Sequence, residues 1–343
     1  MSGGVDSSVA AALLVEAGWQ VVGVTLHLWD AEGEQKVGRC CAPEDRDDAR
    51  RTCEHLGVPH YVIDERASFR RDVVEPFLDE YRAGRTPSPC VHCNRTVKLL
   101  RLAEIATDLG CSHVATGHYA RLLQGDEGEA PVRLLRGRDL AKDQSYFLFG
   151  VPPAVLGRML FPLGDLEKEA SRAEARRLGL PNADKPDSQE LCFVPDGDVR
   201  AFSRRERGPS APGVVRDAHG EVLGRHEGVE GFTVGQRKGL GVGGGGAPRY
   251  VLRIVGSDVV VGSGDELYRH ELEAVGVRWL RAPRGAFDGQ VRIRYRHEPA
   301  PAHIEPRAEG FHVRFEAPQR AITPGQAAVV YVGDEVLGGG FIA

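Results

Sequence analysis

The sequence has no uninterrupted apolar run near the ~20 residues that a bilayer span requires, and its opening residues lack the pattern of a secretion leader. A cytoplasmic protein with no membrane partner is expected. Nor is there an excess of positive charge: 44 Lys and Arg face 49 Asp and Glu, a formal net charge of −5. That balance argues against a surface that is basic throughout. It leaves local clusters to hold phosphates, namely Arg204, Arg205 and Arg207; Arg237 and Lys238; and Arg292, Arg294 and Arg296. No internal repeat is visible. The opening glycine turn matches neither Gly-x-x-x-x-Gly-Lys-Ser/Thr nor Gly-x-Gly-x-x-Gly, so the two commonest phosphate-loop classes do not apply to it. Seven cysteines without a leader read as reduced thiols, metal ligands or catalytic groups rather than a disulfide framework.

What is present at the start is Ser2-Gly3-Gly4-Val5-Asp6-Ser7-Ser8, a glycine turn running straight into a helix. Glycines permit close approach, and the exposed N–H groups and positive end of a helix hold an anion. Asp6 suits a magnesium ion carried by phosphates, while Ser2, Ser7 and Ser8 cap the helix or donate to oxygens.

At 343 residues the chain is long enough for two or three domains. Over 1–197, strand alternates with helix. Residues 7–17 read as a helix stopped by Gly18, 21–29 as a strand, 45–56 as a helix, 60–63 as a strand, and 113–116 as a strand delivering Gly117 and His118. Asn94 is expected to cap another helix, with Val97, Leu100, Ile105 and Leu109 on its apolar face. This alternation predicts a Rossmann-like parallel sheet, with ligands at the carboxyl ends of its strands, where Gly3, Gly4 and Gly117 would meet. Short β-branched runs over 198–268 suggest a small β-rich linking domain, and alternation over 269–343 a C-terminal β-barrel. The four glycines 243–246 read as a linker. A doubly wound sheet feeds its phosphate loop from a buried strand, so the natural start is expected upstream of Met1.

Cys90-Val91-His92-Cys93-Asn94 lies in a loop punctuated by Pro87 and Pro89 and leading into a helix. A thiol at a helix N-terminus favours the thiolate, making Cys93 a credible nucleophile, and only the fold could bring Cys192 to it. A Cys-x-x-Cys pair with one distant cysteine also supplies the three thiolates of a 4Fe–4S cluster with an open iron, its ligands Cys90, Cys93 and Cys192. A zinc site lacks an obvious fourth ligand unless His92 or His118 turns inward. Cys53 and Cys111 read as core residues; Cys40 and Cys41 stay open.

The opening loop resembles the SGGxDS signature of the PP-loop ATP pyrophosphatases. In order along the chain come Ala83-Gly84-Arg85-Thr86-Pro87, Asn94, Ala115-Thr116-Gly117-His118-Tyr119, Lys142-Asp143-Gln144-Ser145-Tyr146-Phe147-Leu148, Leu191-Cys192-Phe193, Gly235-Gln236-Arg237-Lys238-Gly239-Leu240-Gly241 and Thr323-Pro324-Gly325-Gln326. Together they resemble the tRNA-specific 2-thiouridylase family over almost the whole chain. The resemblance implies ATP and Mg2+ as cofactors, tRNA bound through its anticodon region, and a sulfur-donor protein such as a cysteine desulfurase or sulfur relay. It implies adenylation of the C2 oxygen of the wobble uridine and its replacement by sulfur.

By the same resemblance, Ser2, Gly3, Gly4, Val5, Asp6, Ser7, Leu26 and Gly117 contact ATP; relatives often carry methionine at the Leu26 position. Ser88, Pro89 and Cys90 border the target base. His118, Lys142, Asp143, Gln144, Arg294, Tyr295 and Gln326 match tRNA-contacting positions. Cys192 matches the persulfide carrier, and Cys93 the residue that releases its sulfur by closing a disulfide. Relatives of the best-known type have aspartate, able to act as a general acid or base, where Cys90 stands, so the resemblance does not carry that role over to this thiol. Two other readings are another adenylating PP-loop enzyme, disfavoured by Cys93 and Cys192, and a non-catalytic nucleotide-dependent tRNA-binding protein, disfavoured by the retention of Asp6 and both cysteines.

Overall fold

The computed structural model describes residues 1–30, 43–124, 132–187, 191–194, 197–242 and 247–343. Cys40, Cys41 and the glycines 243–246 lie outside them. The described chain forms two compact units. The first comprises 1–74, 90–197 and 334–336; the second comprises 75–89, 198–333 and 337–343.

The first unit opens with α1 (Val5–Glu16), whose cap residue Gly4 is extended and whose end is followed by Gly18 in the left-handed region, φ 82°. Glycine enters that region without the Cβ clash that other residues suffer, which is why the helix stops there. Strand β1 (Gly23–His27), α2 (Pro43–Leu56) and β2 (His60–Asp64) follow, with β1 and β2 parallel and Leu26 opposite Ile63. Next come α3 (Arg66–Phe69) and a π-helical turn, Arg70–Val74. After a passage through the second unit, where α4 (Glu75–Arg82) lies, the chain re-enters along α5 (Pro89–His92), a π-helical stretch Cys93–Lys98, and α6 (Leu99–Asp108).

Parallel pairing recurs between β3 (Val114–Ala115) and β6 (Met159–Leu160), while β4 (Ala120–Gln124) and β5 (Val132–Arg136) make a hairpin. The expected single parallel sheet is therefore two separate two-stranded parallel sheets. No described strand bonds to both pairs. Short α7 (Pro153–Leu156) precedes β6, and α8 (Lys168–Arg177) packs on α1 around Val5, Val9, Ala10, Tyr119, Leu163, Ala175 and Leu180.

In the second unit, α9 (Val199–Arg207) precedes a four-stranded sheet of β7 (Gly213–Asp217), β8 (Val222–His226), β9 (Tyr250–Val255) and β10 (Asp258–Gly262), in the order β8-β7-β10-β9. Val215, Phe232, Leu240, Val251, Val259 and Val261 fill its core. Then β11 (Tyr268–Trp279), β12 (Phe287–Arg292), β13 (Ala300–Pro306), β14 (Gly310–Arg320), β15 (Ala327–Val332) and β16 (Glu335–Ile342) run β11-β14-β13-β12-β15-β16 and close by β16 pairing back onto β11. Alternate residues point inward, Ala302 and Ile304, Phe311, Val313 and Phe315, Ala328 and Val330, as a period of two requires.

Candidate active site

The amino-terminal turn is built for close approach. Gly3 has φ 73°, and a Cβ there would stand 2.0 Å from the Asp45 carbonyl oxygen; one on Gly117 would stand 2.6 Å from the Asp6 carbonyl carbon. Both positions exclude any side chain, so Gly117 does meet the loop as the motif spacing predicts. Ser2 and Ser7 share a 3.1 Å hydroxyl contact, and the Ser7 and Ser8 hydroxyls donate to the Gly4 carbonyl. The first N–H groups of the twelve-residue α1 are left for an anion. Leu26 is half-buried on β1. Asn182 donates through Nδ2 to the Gly3 carbonyl (2.9 Å) and to Ser8 Oγ (3.0 Å), leaving its buried Oδ1 without a hydrogen-bond partner beside the loop. A Cβ-excluding cradle and spare helix N–H groups suit a nucleotide's phosphates, while the orphaned amide oxygen, an acceptor, suits a hydroxyl, a water or a cation beside them.

Asp6, expected to take magnesium, is already engaged. Its Oδ1 accepts from the Tyr119 hydroxyl (2.9 Å) and from Lys168 Nζ (2.7 Å), and Oδ2 accepts from the same ammonium (2.9 Å). Lys168 also reaches Asp187 (2.9 Å), which accepts in addition from Lys142 (2.9 Å) and Arg172 (2.8 Å). Burial would raise the Asp187 carboxyl, but the hydrogen bonds from Lys168 and Lys142 outweigh it and bring its pKa to about 2. Burial, and next the Asp6 charge, push the Tyr119 phenol up.

Nothing in the motif list pointed to Lys168. One signal was available: a lysine opening a helix sits against the positive end of the dipole, a placement that needs a reason. Asp48, Asp45 and Lys185 form a second ion-pair group, with Lys185 Nζ 2.6 Å from Asp48 and bonded to Asp45.

The cysteines sit differently from the expectation. Asn94 does not cap a helix: helical structure begins at Pro89, because proline suits the first turn, where its missing N–H costs nothing. Asn94 is buried and donates instead to the Phe147 carbonyl (3.4 Å). Cys90 is therefore in the first turn, nearest the positive pole, and exposed, while half-buried Cys93 opens the π stretch one turn on. Such π segments are frequent at functional sites.

Cys192 is half-buried. Its neighbour Phe193 is buried against Phe69 (ring centroids 5.5 Å) and Trp29 (6.3 Å). The turn Arg70–Val74 that follows Phe69 packs on Cys93–Lys98. One aromatic cluster thus links the segment bearing Cys192, the end of β1 and the element that braces the Cys93 helix. Among the described residues no three His, Cys, Asp or Glu side chains are grouped to hold a metal ion. Cys53 is buried, as expected, and burial raises its thiol; Cys111 is only half-buried.

Several expected tRNA contacts lie inside the protein. Asp143 is fully buried, accepting from Gly137 N (3.1 Å) and Ser145 N (3.0 Å) near Arg136, and so shapes its own loop. His118 is buried against Phe161 with Nδ1 2.8 Å from the Thr116 hydroxyl. Burial, with Lys98 adding to it, lowers its pKa to about 3 and keeps it neutral. Gln144 accepts from Tyr119 N (3.0 Å), whereas Lys142 is partly exposed.

In the second unit, Gln326 donates to the carbonyls of Thr86 (2.9 Å) and Pro87 (3.2 Å), and buried Ser88 accepts from Ala327 N (3.1 Å). Gly325, φ 89°, lies where a Cβ would come 3.0 Å from the Thr86 carbonyl. Two motifs far apart in sequence thus form one joint within this unit. Arg294 donates to the Ala321 carbonyl (2.6 Å) and to Thr323, and Tyr295 lies under the Arg292 guanidinium (5.4 Å). The turn after β12 is held by these contacts, leaving Arg296 exposed.

Residues 1–196 match the family described as tRNA methyl transferase HUP domain, 203–263 its PRC-barrel domain, and 269–342 the aminomethyltransferase β-barrel domain. The whole chain aligns at 53% identity with 90% of the tRNA-specific 2-thiouridylase MnmA of Sorangium cellulosum, and at 47% with 97% of that of Chloroflexus aurantiacus. Among solved structures, the U34-tRNA thiolase NcsA of Methanococcus maripaludis with its 4Fe–4S cluster covers 60% of this chain, and the match covers 64% of NcsA, at 18% identity and TM-score 0.34. With full-length relatives at this identity and the cradle, Asp6 and both cysteines in place, the chain belongs to the tRNA-specific 2-thiouridylase family.

Proposed function

We propose that this protein is an ATP-dependent tRNA-uridine 2-sulfurtransferase acting in the cytoplasm on the wobble position of the anticodon. The observation that carries the reading is the side-chain-free cradle of Gly3 and Gly117 at the start of α1, in a chain that keeps Cys93 and Cys192.

ATP held at the cradle adenylates the uridine C2 oxygen, turning a poor leaving group into AMP. Helix N–H groups offset the charge that develops on the phosphates. Magnesium brought with the nucleotide would be held by Asp6. Cys192 carries sulfur as a persulfide received from a donor protein, and Cys93, in the second turn of the Pro89 helix, releases it by forming a disulfide with Cys192. Cys90 stands where relatives of the best-known type have aspartate, so no proton-transfer role is assigned to that position. Lys142 and Arg296, both reaching solvent, and Tyr295 are the tRNA contacts of this reading; Asp143 and Gln326 act by holding backbone, and buried His118 pairs with the Thr116 hydroxyl.

Incubating the purified protein with unmodified tRNA, ATP and a persulfide donor, followed by mass spectrometry of the nucleosides, tests this directly. Formation of 2-thiouridine only with ATP is expected; none under any sulfur source would refute it. A cluster route would appear as activity confined to anaerobically reconstituted protein with an iron–sulfur absorption band.

A further inference from the structure

We propose that Lys168 is a placeholder cation for Asp6: magnesium arriving with the nucleotide takes the Asp6 carboxylate, and the displaced ammonium turns to the polyphosphate while staying anchored on Asp187. The proposal rests on the ATP reading above and assigns a positioning residue to it.

Lys168 is 6% exposed and opens α8, where the dipole opposes a cation. Lysine is almost never buried unless paired, and a buried ion pair is often no better for stability than an apolar residue of similar volume. The charge is therefore retained for something other than packing. An ammonium has three donors, and all are spent, on Asp6 Oδ1 (2.7 Å), Asp6 Oδ2 (2.9 Å) and Asp187 Oδ1 (2.9 Å). With Tyr119 also on Oδ1, both lone pairs of that oxygen are occupied.

Asp6 lies in the first turn of α1, directly after the cradle, so the group it holds faces whatever the cradle binds. A divalent ion and an ammonium on one carboxylate repel each other at a few ångströms, so metal binding must release Lys168. Asp187 makes that release local. It keeps its own pairing with Lys168 (2.9 Å) while Lys142 and Arg172, at 2.9 Å and 2.8 Å, hold the carboxylate in place, so the ammonium pivots about Asp187 when it leaves Asp6. The partnerless Oδ1 of Asn182, 5% exposed, is a second sign that the cradle wall awaits a ligand.

Titration of the nucleotide-free, full-length protein with Mn2+, followed by electron paramagnetic resonance, tests the exchange. Lys168→Met should bind Mn2+ about tenfold more tightly than wild type, a coupling of ordinary size. Adding Asp6→Asn should remove that gain. Equilibrium dialysis with ATP and Mg2+ should show Lys168→Met binding nucleotide about tenfold more weakly. Unchanged Mn2+ affinity in Lys168→Met would overturn the proposal. Should that variant not fold, Lys168→Gln, equally uncharged but able to hydrogen-bond, carries the same comparison. A wild-type chain that binds no ATP would sink the nucleotide reading, and the Mn2+ comparison would still decide whether Lys168 and a metal compete for Asp6.

Discussion

The barrel of β11–β16 and the cradle at the start of α1 use burial in opposite ways. The barrel strands bury a continuous apolar cluster, from Leu272 through Phe311 to Ile342. Around the cradle, Lys168, Asp143, His118 and Asn182 are all at or below 9% exposure, every one polar. Apolar burial stabilises without direction, whereas buried charge costs energy unless each partner is in place. The barrel is thus built for stability, and the cradle for holding specific groups in specific places.

Substitutions can break or sharpen this contrast. The largest effect belongs to Cys192→Ser, which should reduce thiolation below detection by nucleoside mass spectrometry while tRNA binding stays within a few-fold. In the barrel, Phe311→Ala should cost about 3–5 kcal/mol in denaturant unfolding, with ATP affinity of the folded protein unchanged. A barrel variant that altered ATP affinity would blur the distinction. At the cradle, Gly117→Ala forces a Cβ against the Asp6 backbone, 2.6 Å away, and ATP affinity measured by dialysis should fall about tenfold, a cost of ~1.4 kcal/mol.

A subtler test is acid stability. His118 is held neutral with its pKa near 3, whereas an unfolded histidine protonates near pH 6.5, so between these values the unfolded chain binds the extra proton. Stability from this group is complete above pH 6.5 and declines as pH falls toward 3. His118→Gln should flatten that part of the pH–stability curve. The smallest effect is expected at the exposed Arg307–Glu273 pair (2.7 Å), where Arg307→Ala should change stability by under ~1 kcal/mol.

Local signals were legible wherever the cause was local. Gly18 stops α1 because of its own conformational freedom, and β13 to β15 show their inward faces through simple alternation. Asn94 and Pro89 are competing start signals in one segment, and the helix begins at Pro89 because proline fits the first turn as well as asparagine fits a cap. Gln326 and Asp143 were recognisable as motif residues, but their burial was not, since it depends on carbonyls and amides supplied by the surrounding fold.

The sequence by itself determined the glycine cradle and the alternating barrel strands, because each follows from residue type and spacing along a few neighbouring positions. Only the tertiary structure decided that Lys168 closes on Asp6, that Asp187 gathers three cations, and that residues 86–88 lock against 325–327. Those contacts join segments far apart in the chain, and a charge or amide acquires its role only when folding removes water and leaves one particular partner within reach.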